Sequence, residues 1–173
     1  SRSIQRSYGG LVSLRKELLP TEHADFTIGI YRSQKAKLTT ANGKELETKF
    51  YNDLIKNFQE ISVHEHKVIR PGNVNCDFFI YLKENFGVVV DIFYAESIIN
   101  LVNVVNIKIK RYKLVSQPTY LVVVGNDGID NDLLRKKMLN KRVPLPVNLR
   151  VVTEKVFFNK VVPYLRSKSQ YAQ

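Results

Sequence analysis

The sequence predicts an α/β fold in which helices flank both faces of a mixed sheet of about five strands. Three observations carry this prediction: short apolar runs rich in β-branched and aromatic residues, amphipathic stretches between them, and turn residues at the junctions. Taken in order, the predicted elements are α-β-β-β-α-β-α-β-α. Strands joined by turns come first and strands joined by helices follow, so the sheet is expected to be mixed.

The first four elements lie within residues 44–94. A helix is expected over residues 44–58, because apolar residues recur there every four positions. Alternating polarity predicts a strand over residues 60–69, followed by a turn at residues 70–73. Two aromatic and β-branched runs, residues 76–82 and 87–94, are expected to pair as a hairpin.

The remaining elements alternate between helix and strand. One helical stripe of apolar residues runs through residues 97–112 and predicts a helix. A buried-type strand follows at residues 120–124, then a basic helix at about residues 130–140. The last strand covers residues 149–152, and Thr153 is expected to cap the final helix.

Length and charge limit the class of protein. A chain of 173 residues makes one domain with at most a short appendage. Residues 1–42 carry seven basic and three acidic residues and are expected to form a basic connector, leaving residues 43–173 as the main domain. The net charge of +11 favours a polyanionic partner, most often nucleic acid. The single cysteine excludes a disulfide framework, and no apolar run is long enough to span a membrane, so a cytoplasmic protein is expected.

Two acidic residues, Asp77 and Asp91, interrupt strands that are otherwise apolar. A carboxylate in such a strand is costly to bury unless it has a partner. If residues 83–85 form the hairpin loop, Asp77 lies opposite Asp91 and both side chains point to one face. Like charges at that separation require a cation, and Mg²⁺ (or Mn²⁺) prefers oxygen ligands. The alternative is that each aspartate caps a strand end near solvent.

Glu47 and His66 are expected near these acids. On a helical wheel Glu47 lies inside the apolar arc of the first helix, so it is expected to face the sheet. With residues 71–72 as a tight turn, His66 falls opposite Asp77, where it could transfer a proton or hold a phosphate. The alternative for His66 is an exposed edge strand with polar residues.

Cations cluster on two of the predicted helices. Asn103, Asn106 and Lys110 share one flank of the helix over residues 97–112, and Lys108 lies on the opposite flank. The flank with Asn106 and Lys110 either lines a phosphate-binding site or is the ordinary boundary of an amphipathic helix. Five basic residues in and after the next helix are candidates for contact with DNA phosphates, although a solvated helix face is the default interpretation. These five are Arg135, Lys136, Lys137, Lys141 and Arg142.

A helix with Glu47, then Asp77 and Asp91 on consecutive strands, then a polar helix, resembles the PD-(D/E)xK nuclease superfamily. Within it, the chain is more similar to the very-short-patch-repair endonucleases and to the related catalytic domain of phage homing endonucleases. The resemblance implies a restriction-endonuclease-like core, Mg²⁺-dependent hydrolysis of phosphodiester bonds in double-stranded DNA, and a bacterial or phage origin. The segments that carry it are NCDFF at residues 75–79, VVDIFY at residues 89–94 and NLVNVVNIKIKRY at residues 100–112.

The sequence departs from the superfamily at one catalytic position. A lysine usually follows the second acid by two residues, and here that position is Phe93. Either Lys108 or Lys110 replaces its charge, or the chain resembles the repair branch, which lacks this lysine. In that branch one histidine occupies the place of Asp91 and another follows five residues later. Here the later position is Glu96, which becomes a candidate ligand or acid/base group.

The resulting hypothesis is a metal-dependent DNA endonuclease. Asp77 and Asp91 are expected to hold the metal, with Glu47 as an additional or water-mediated ligand. His66, Glu96 or a lysine of the polar helix would manage the proton of the attacking water and the charge on the phosphate.

Alternatives to this hypothesis follow from the same residues. With Phe93 in place of the lysine, the chain could be a non-catalytic nucleic-acid-binding module on a nuclease fold. A basic RNA-associated structural protein is a third class. Residues 4–19 look like the end of a helical DNA-binding repeat, which would make the chain the catalytic part of a longer protein. Whether two chains pair to cut both strands stays open.

Overall fold

The computed structural model describes residues 41–173. Within them, Glu45–Gln173 forms one compact unit. The predictions of a basic connector and of a repeat-like segment at residues 4–19 fall on residues outside the described ones. No helix within residues 41–173 combines the length and the apolar character that crossing a membrane requires.

Five strands form one mixed sheet, and two shorter strands form a separate hairpin. The sheet strands are β1 (Val63–Glu65), β4 (Phe78–Lys83), β5 (Phe86–Phe93), β6 (Thr119–Val123) and β7 (Leu149–Thr153), and the hairpin strands are β2 (Val68–Ile69) and β3 (Val74–Asn75). The sheet order is β1-β4-β5-β6-β7, antiparallel from β1 to β5 and parallel from β5 to β7. The predicted α/β class with a mixed five-stranded sheet is therefore confirmed, and the arrangement is consistent with a restriction-endonuclease-like core.

Three of the four helices begin next to capping side chains. They are α1 (residues 41–55), α2 (Ile98–Arg111), α3 (Asn131–Leu139) and α4, which combines Glu154–Val156, a π-helical stretch Phe157–Val161, and Val162–Lys168. Ser97 accepts from the Asn100 N–H at the start of α2, and Asp130 accepts from the Leu133 N–H at the start of α3. Thr153 caps α4 as predicted, because its hydroxyl accepts from the Val156 N–H.

Two apolar layers hold these elements together, one on each face of the sheet. Helices α1 and α4 cover one face, where Phe50, Leu54 and Phe157 are at most 1% exposed. Helices α2 and α3 cover the other face through residues such as Leu101 and Leu134. Each side chain of this size contributes about 1.5–3 kcal/mol when it is fully buried. Because both faces are covered, a polar side chain in the central strands needs an internal partner.

The π-helical stretch of α4 has a sequence cause. Pro163 lies two residues after its end, in the first turn of Val162–Lys168. Proline has no N–H to donate and its ring clashes with the carbonyl four residues earlier, so the α-helical bond at this position cannot form. A wider π turn accommodates the proline, and Phe157 stays fully buried at its start.

Two predicted details were wrong. The loop between β4 and β5 is the two-residue turn at residues 84–85 and not residues 83–85, because a bulge lets Lys83 pair with Phe86. The predicted strand over residues 60–69 is divided: a 3₁₀ turn occupies its first three residues, and His66, at φ 50°, interrupts the extended chain between β1 and β2. A residue in the left-handed region cannot continue a strand ladder.

Candidate active site at the acid pair

The two aspartates singled out from the sequence lie side by side in the structure. Phe78 pairs with Val90 in the β4–β5 ladder, so Asp77, just before β4, lies opposite Asp91 in β5 as the sequence predicted. A carboxylate oxygen of Asp77, Oδ2, accepts from the Ile92 N–H at 2.8 Å. Asp91 is only 2% exposed and lies on the face covered by α2, whereas Asp77 is partly buried.

Helix α2 and the residue that caps its end supply the partners of Asp91. Lys108 Nζ lies 2.8 Å from Asp91 Oδ1, and the Tyr112 hydroxyl donates to Asp91 Oδ2 at 2.7 Å. The side chains of Lys108 and Asp91 are 13% and 3% exposed, so this is a buried ion pair. Both carboxylate oxygens of Asp91 are thus hydrogen-bonded, which compensates for much of the cost of burying the charge.

The structure distinguishes Lys108 from Lys110. Lys108 contacts Asp91 and its Nζ lies 5.6 Å from the centre of the Phe93 ring, whereas Lys110 is exposed. Phe93 is the position that carries a lysine in the superfamily which the sequence resembles. A lysine from α2 therefore brings a positive charge to the neighbourhood of Phe93 from a different part of the chain.

Burial and contact give the two aspartates opposite pKa shifts. The pKa of Asp77 is raised to about 7, mainly by burial and also by the hydrogen bond to Asp91 and the charge of Asp91. Burial also acts to raise the pKa of Asp91, but the Lys108 charge and the hydrogen bonds from Asp77, Lys108 and Tyr112 outweigh it and hold the pKa below its ordinary value. Below about pH 7 the pair therefore keeps one proton, on Asp77, and one negative charge, on Asp91.

Glu47 and His66 form a second, more exposed pair. Glu47 is on α1, which packs on the opposite face of the sheet from Asp91. Its carboxylate lies 4.0 Å from His66 Nε2, and the two side chains are 37% and 58% exposed respectively. His66 lies opposite Asp77 as predicted, since its N–H donates to the Asp77 carbonyl at 3.0 Å. Residues 41–173 contain no group of three His, Cys, Asp or Glu side chains that could hold a metal ion, so ligation by all three predicted acids stays a prediction.

The other candidate residues lie away from the acid pair. Glu96 is exposed, and its backbone carbonyl accepts from Asn126. Asn106 accepts from Lys141, and burial lowers the pKa of this lysine. The contact ties α2 to the segment after α3. The other four members of the basic cluster are exposed, which leaves them available to a polyanion: Arg135, Lys136, Lys137 and Arg142.

Sequence reasoning treated Tyr112 only as part of an apolar stripe, although it contacts the acid pair directly. Burial, followed by the charge and hydrogen bond of Asp91, raises the pKa of the Tyr112 hydroxyl, so it remains a donor. The spacing of four residues along the helix indicates this contact. Leu101, Val105, Lys108 and Tyr112 are separated by four, three and four residues, which places them on one line along the helix. A lysine on the buried line of a helix needs an acid opposite it.

Comparison of the chain with protein-family models, with curated proteins and with solved structures found no match.

Proposed function

We propose that the chain is a Mg²⁺-dependent endonuclease that hydrolyses phosphodiester bonds in double-stranded DNA. The observation that carries the proposal is the pair of Asp77 and Asp91 on adjacent strands, with Lys108 beside it near Phe93. Acids on neighbouring strands and an adjacent lysine are the groups that the resemblance to the PD-(D/E)xK superfamily calls for. The net charge of +11 suits a polyanionic substrate.

The electrostatics of the pair fit a divalent cation. Asp77 keeps its proton up to about pH 7 because it is buried and because a second negative charge beside Asp91 is unfavourable. A cation bound by the Asp77 and Asp91 carboxylates would neutralise the second negative charge, so cation binding would compete with the proton on Asp77. When bound, such a metal supplies an activated water and stabilises the charge on the phosphate.

Two further groups of the chain have roles in this proposal. Lys108 keeps Asp91 ionised at neutral pH, and its ammonium provides the positive charge that a lysine at position 93 would otherwise supply. At the edge of the sheet, the Glu47 carboxylate lies 4.0 Å from His66 Nε2. In this proposal His66 is the group that transfers a proton to or from the reacting atoms.

A second candidate is a non-catalytic nucleic-acid-binding module on the same fold. One observation favours it: both oxygens of Asp91 are already hydrogen-bonded, by Lys108 and by Tyr112, and the residue is almost completely buried. In that case the pair acts as a satisfied structural group between β5 and α2, and the basic surface alone binds nucleic acid.

Plasmid cleavage with Mg²⁺ or Mn²⁺ separates the two candidates. We expect the wild-type chain to cut DNA, and Asp77→Asn and Asp91→Asn to lose cleavage while their DNA affinity in EDTA is retained. Asp132→Asn is the matched control, because it removes an exposed carboxylate of α3 by the same substitution. DNA binding without cleavage by the wild-type chain would support the non-catalytic module and reject the nuclease.

A further inference from the structure

A cavity of about 770 Å³ lies between the β4–β5 hairpin, the strands β6 and β7, and helix α4. Its volume is within the range of about 300–1,000 Å³ that is typical of small-ligand sites. Among residues 41–173, no acidic residue lines it, whereas four cations do: Lys83, Arg150, Lys160 and Lys168.

This cavity is separate from the acid pair. Leu82 and Val88, which line it, belong to the apolar layer under α1 and α4, whereas Asp91 lies on the opposite face. The cavity also includes Phe86 at the first position of β5, five residues from Asp91. At about 3.3 Å per residue, this corresponds to roughly 16 Å along the strand.

The four cations of the cavity have no acidic partner in the part of the chain that the structure describes. Within residues 41–173, none of Lys83, Arg150, Lys160 or Lys168 makes an ion pair. Like charges around one concavity repel each other, and a bound anion relieves that repulsion. Phosphate groups are suitable anions because Arg150 can bind one through two parallel hydrogen bonds and the lysines can add point charges.

Aromatic rings adjoin these cations. Tyr164 and Phe86 line the cavity and are 58% and 49% exposed. Lys168 Nζ lies 5.8 Å from the centre of the Tyr164 ring. Tyr120 is buried and pairs with Arg150 across the β6–β7 ladder, so a ring and a guanidinium also lie side by side on the sheet. Exposed rings beside phosphate-binding cations are the groups on which unpaired bases stack.

We propose that this cavity binds a nucleotide unit of single-stranded nucleic acid. Arg150, Lys160 and Lys168 hold its phosphates, and the Tyr164 and Phe86 rings contact its base. Duplex DNA does not satisfy both parts of the site, because its bases are stacked on one another and cannot stack on Tyr164. The inference does not depend on the proposed cleavage reaction, since it concerns different residues and needs no metal.

The first test measures fluorescence anisotropy of a labelled single-stranded oligonucleotide of about 12 nucleotides, in EDTA. Arg150→Ala combined with Lys168→Ala is expected to weaken binding about tenfold or more. Lys56→Ala combined with Lys113→Ala is the matched control, because it removes the same charge from exposed positions outside the cavity. An equal loss in the control would show diffuse attraction to the surface and overturn the proposal.

A second test concerns the stacking ring. Tyr164→Ala is expected to weaken oligonucleotide binding about fivefold or more, whereas Tyr164→Phe retains it, because the ring and not the hydroxyl carries the contact. Since Tyr164 is 58% exposed, both variants should unfold at the wild-type denaturant concentration, which separates binding from folding. Equal affinity of Tyr164→Ala and the wild-type chain would overturn the base contact.

Competition identifies the source of the ligand. An unlabelled single strand is expected to displace the labelled one more effectively than a duplex of equal length, a mononucleotide or inorganic phosphate. A duplex that competes equally well would overturn the preference for single strands. A mononucleotide that competes equally well would assign the cavity to a free nucleotide, and phosphate that does so would reduce it to an anion site, so both outcomes overturn the proposal.

Discussion

At the scale of single residues, the acid pair shows how two identical side chains acquire different chemistry. Asp91 receives Lys108 and Tyr112 from α2, and these contacts lower its pKa despite its burial. For Asp77, burial outweighs the Ile92 N–H and the Lys108 charge, so its pKa rises to about 7. The difference sets a permanent negative charge beside a carboxyl group that titrates near neutral pH.

The buried ion pair predicts a large difference between two lysines of α2. Lys108→Met leaves the Asp91 carboxylate buried without its cation, and we expect the free energy of unfolding to fall by about 3 kcal/mol. Lys110→Met, on the exposed side of the same helix, is expected to change it by less than about 0.5 kcal/mol. Urea denaturation measures both. Equal effects would contradict the assignment of Lys108 as the partner of Asp91.

The raised pKa of Asp77 predicts the pH dependence of stability. Between the ordinary aspartate pKa of 3.8 and about 7, the native state retains a proton on Asp77 that the unfolded state has lost. Stability from this group therefore falls as pH rises through that range, and is constant above it. Denaturation at pH 5, 6, 7 and 8 should show the wild-type chain losing stability relative to Asp77→Asn with rising pH. A constant difference would contradict the raised pKa.

At the scale of elements, hydrophobic periodicity made much of the fold predictable. Runs of β-branched residues predicted β6 and β7 to within a residue or so, and the hairpin register placed Asp77 opposite Asp91 as observed. These predictions worked because a one-residue slip would expose the apolar face of a strand.

Other features of the site were not predictable from periodicity. The left-handed conformation of His66 has no marker such as glycine in the sequence. Glu47 lies in the apolar arc of α1 but is partly exposed and contacts His66, because its position depends on how α1 packs on the sheet. The choice between Lys108 and Lys110 likewise depends on the rotation of α2 about its axis, which long-range packing sets.

Gly87 in β5 lies so close to β4 that a larger residue should not fit there. A Cβ at this position would lie 2.5 Å from the Ile80 carbonyl oxygen and 2.5 Å from a Phe79 ring carbon. Because strand backbone cannot move aside easily, Gly87→Ala is expected to lower the free energy of unfolding by about 2 kcal/mol or more. Gly43→Ala is the control, since no atom of the described residues lies within 4 Å of the position of its Cβ and alanine favours a helix. Chemical denaturation that shows no loss for Gly87→Ala would contradict the described β4–β5 packing.

At the scale of the whole molecule, positive charge and the acid pair are spatially distinct. The cations of α3 and of the cavity beside α4 lie at the surface, whereas Asp77 and Asp91 lie between β4, β5 and α2. In the proposed function, the basic surface would bind the nucleic-acid backbone and the acid pair would hold the cation, so different residues would carry the two tasks.

The basic surface predicts strong salt dependence of duplex binding. Raising the salt concentration from about 50 to 200 mM should weaken binding by about a hundredfold or more, because phosphate contacts release counterions. Arg135→Ala combined with Lys136→Ala should reduce the slope of log affinity against log salt by about 1–2. Anisotropy titrations with labelled duplex give both slopes. An unchanged slope would show that Arg135 and Lys136 do not contact DNA phosphates.

In the proposed function, the acid pair takes a divalent cation in place of the proton of Asp77. Calorimetric titration with Mg²⁺ at pH 6, repeated in buffers of different ionisation enthalpy, counts the protons released on binding. Since the pKa of Asp77 is raised to about 7, we expect close to one proton per bound ion at pH 6, and much less at pH 8. Asp77→Asn should release none and bind Mg²⁺ far more weakly. Absence of Mg²⁺ binding in the wild-type chain, or binding that Asp77→Asn leaves unchanged, would contradict the claim.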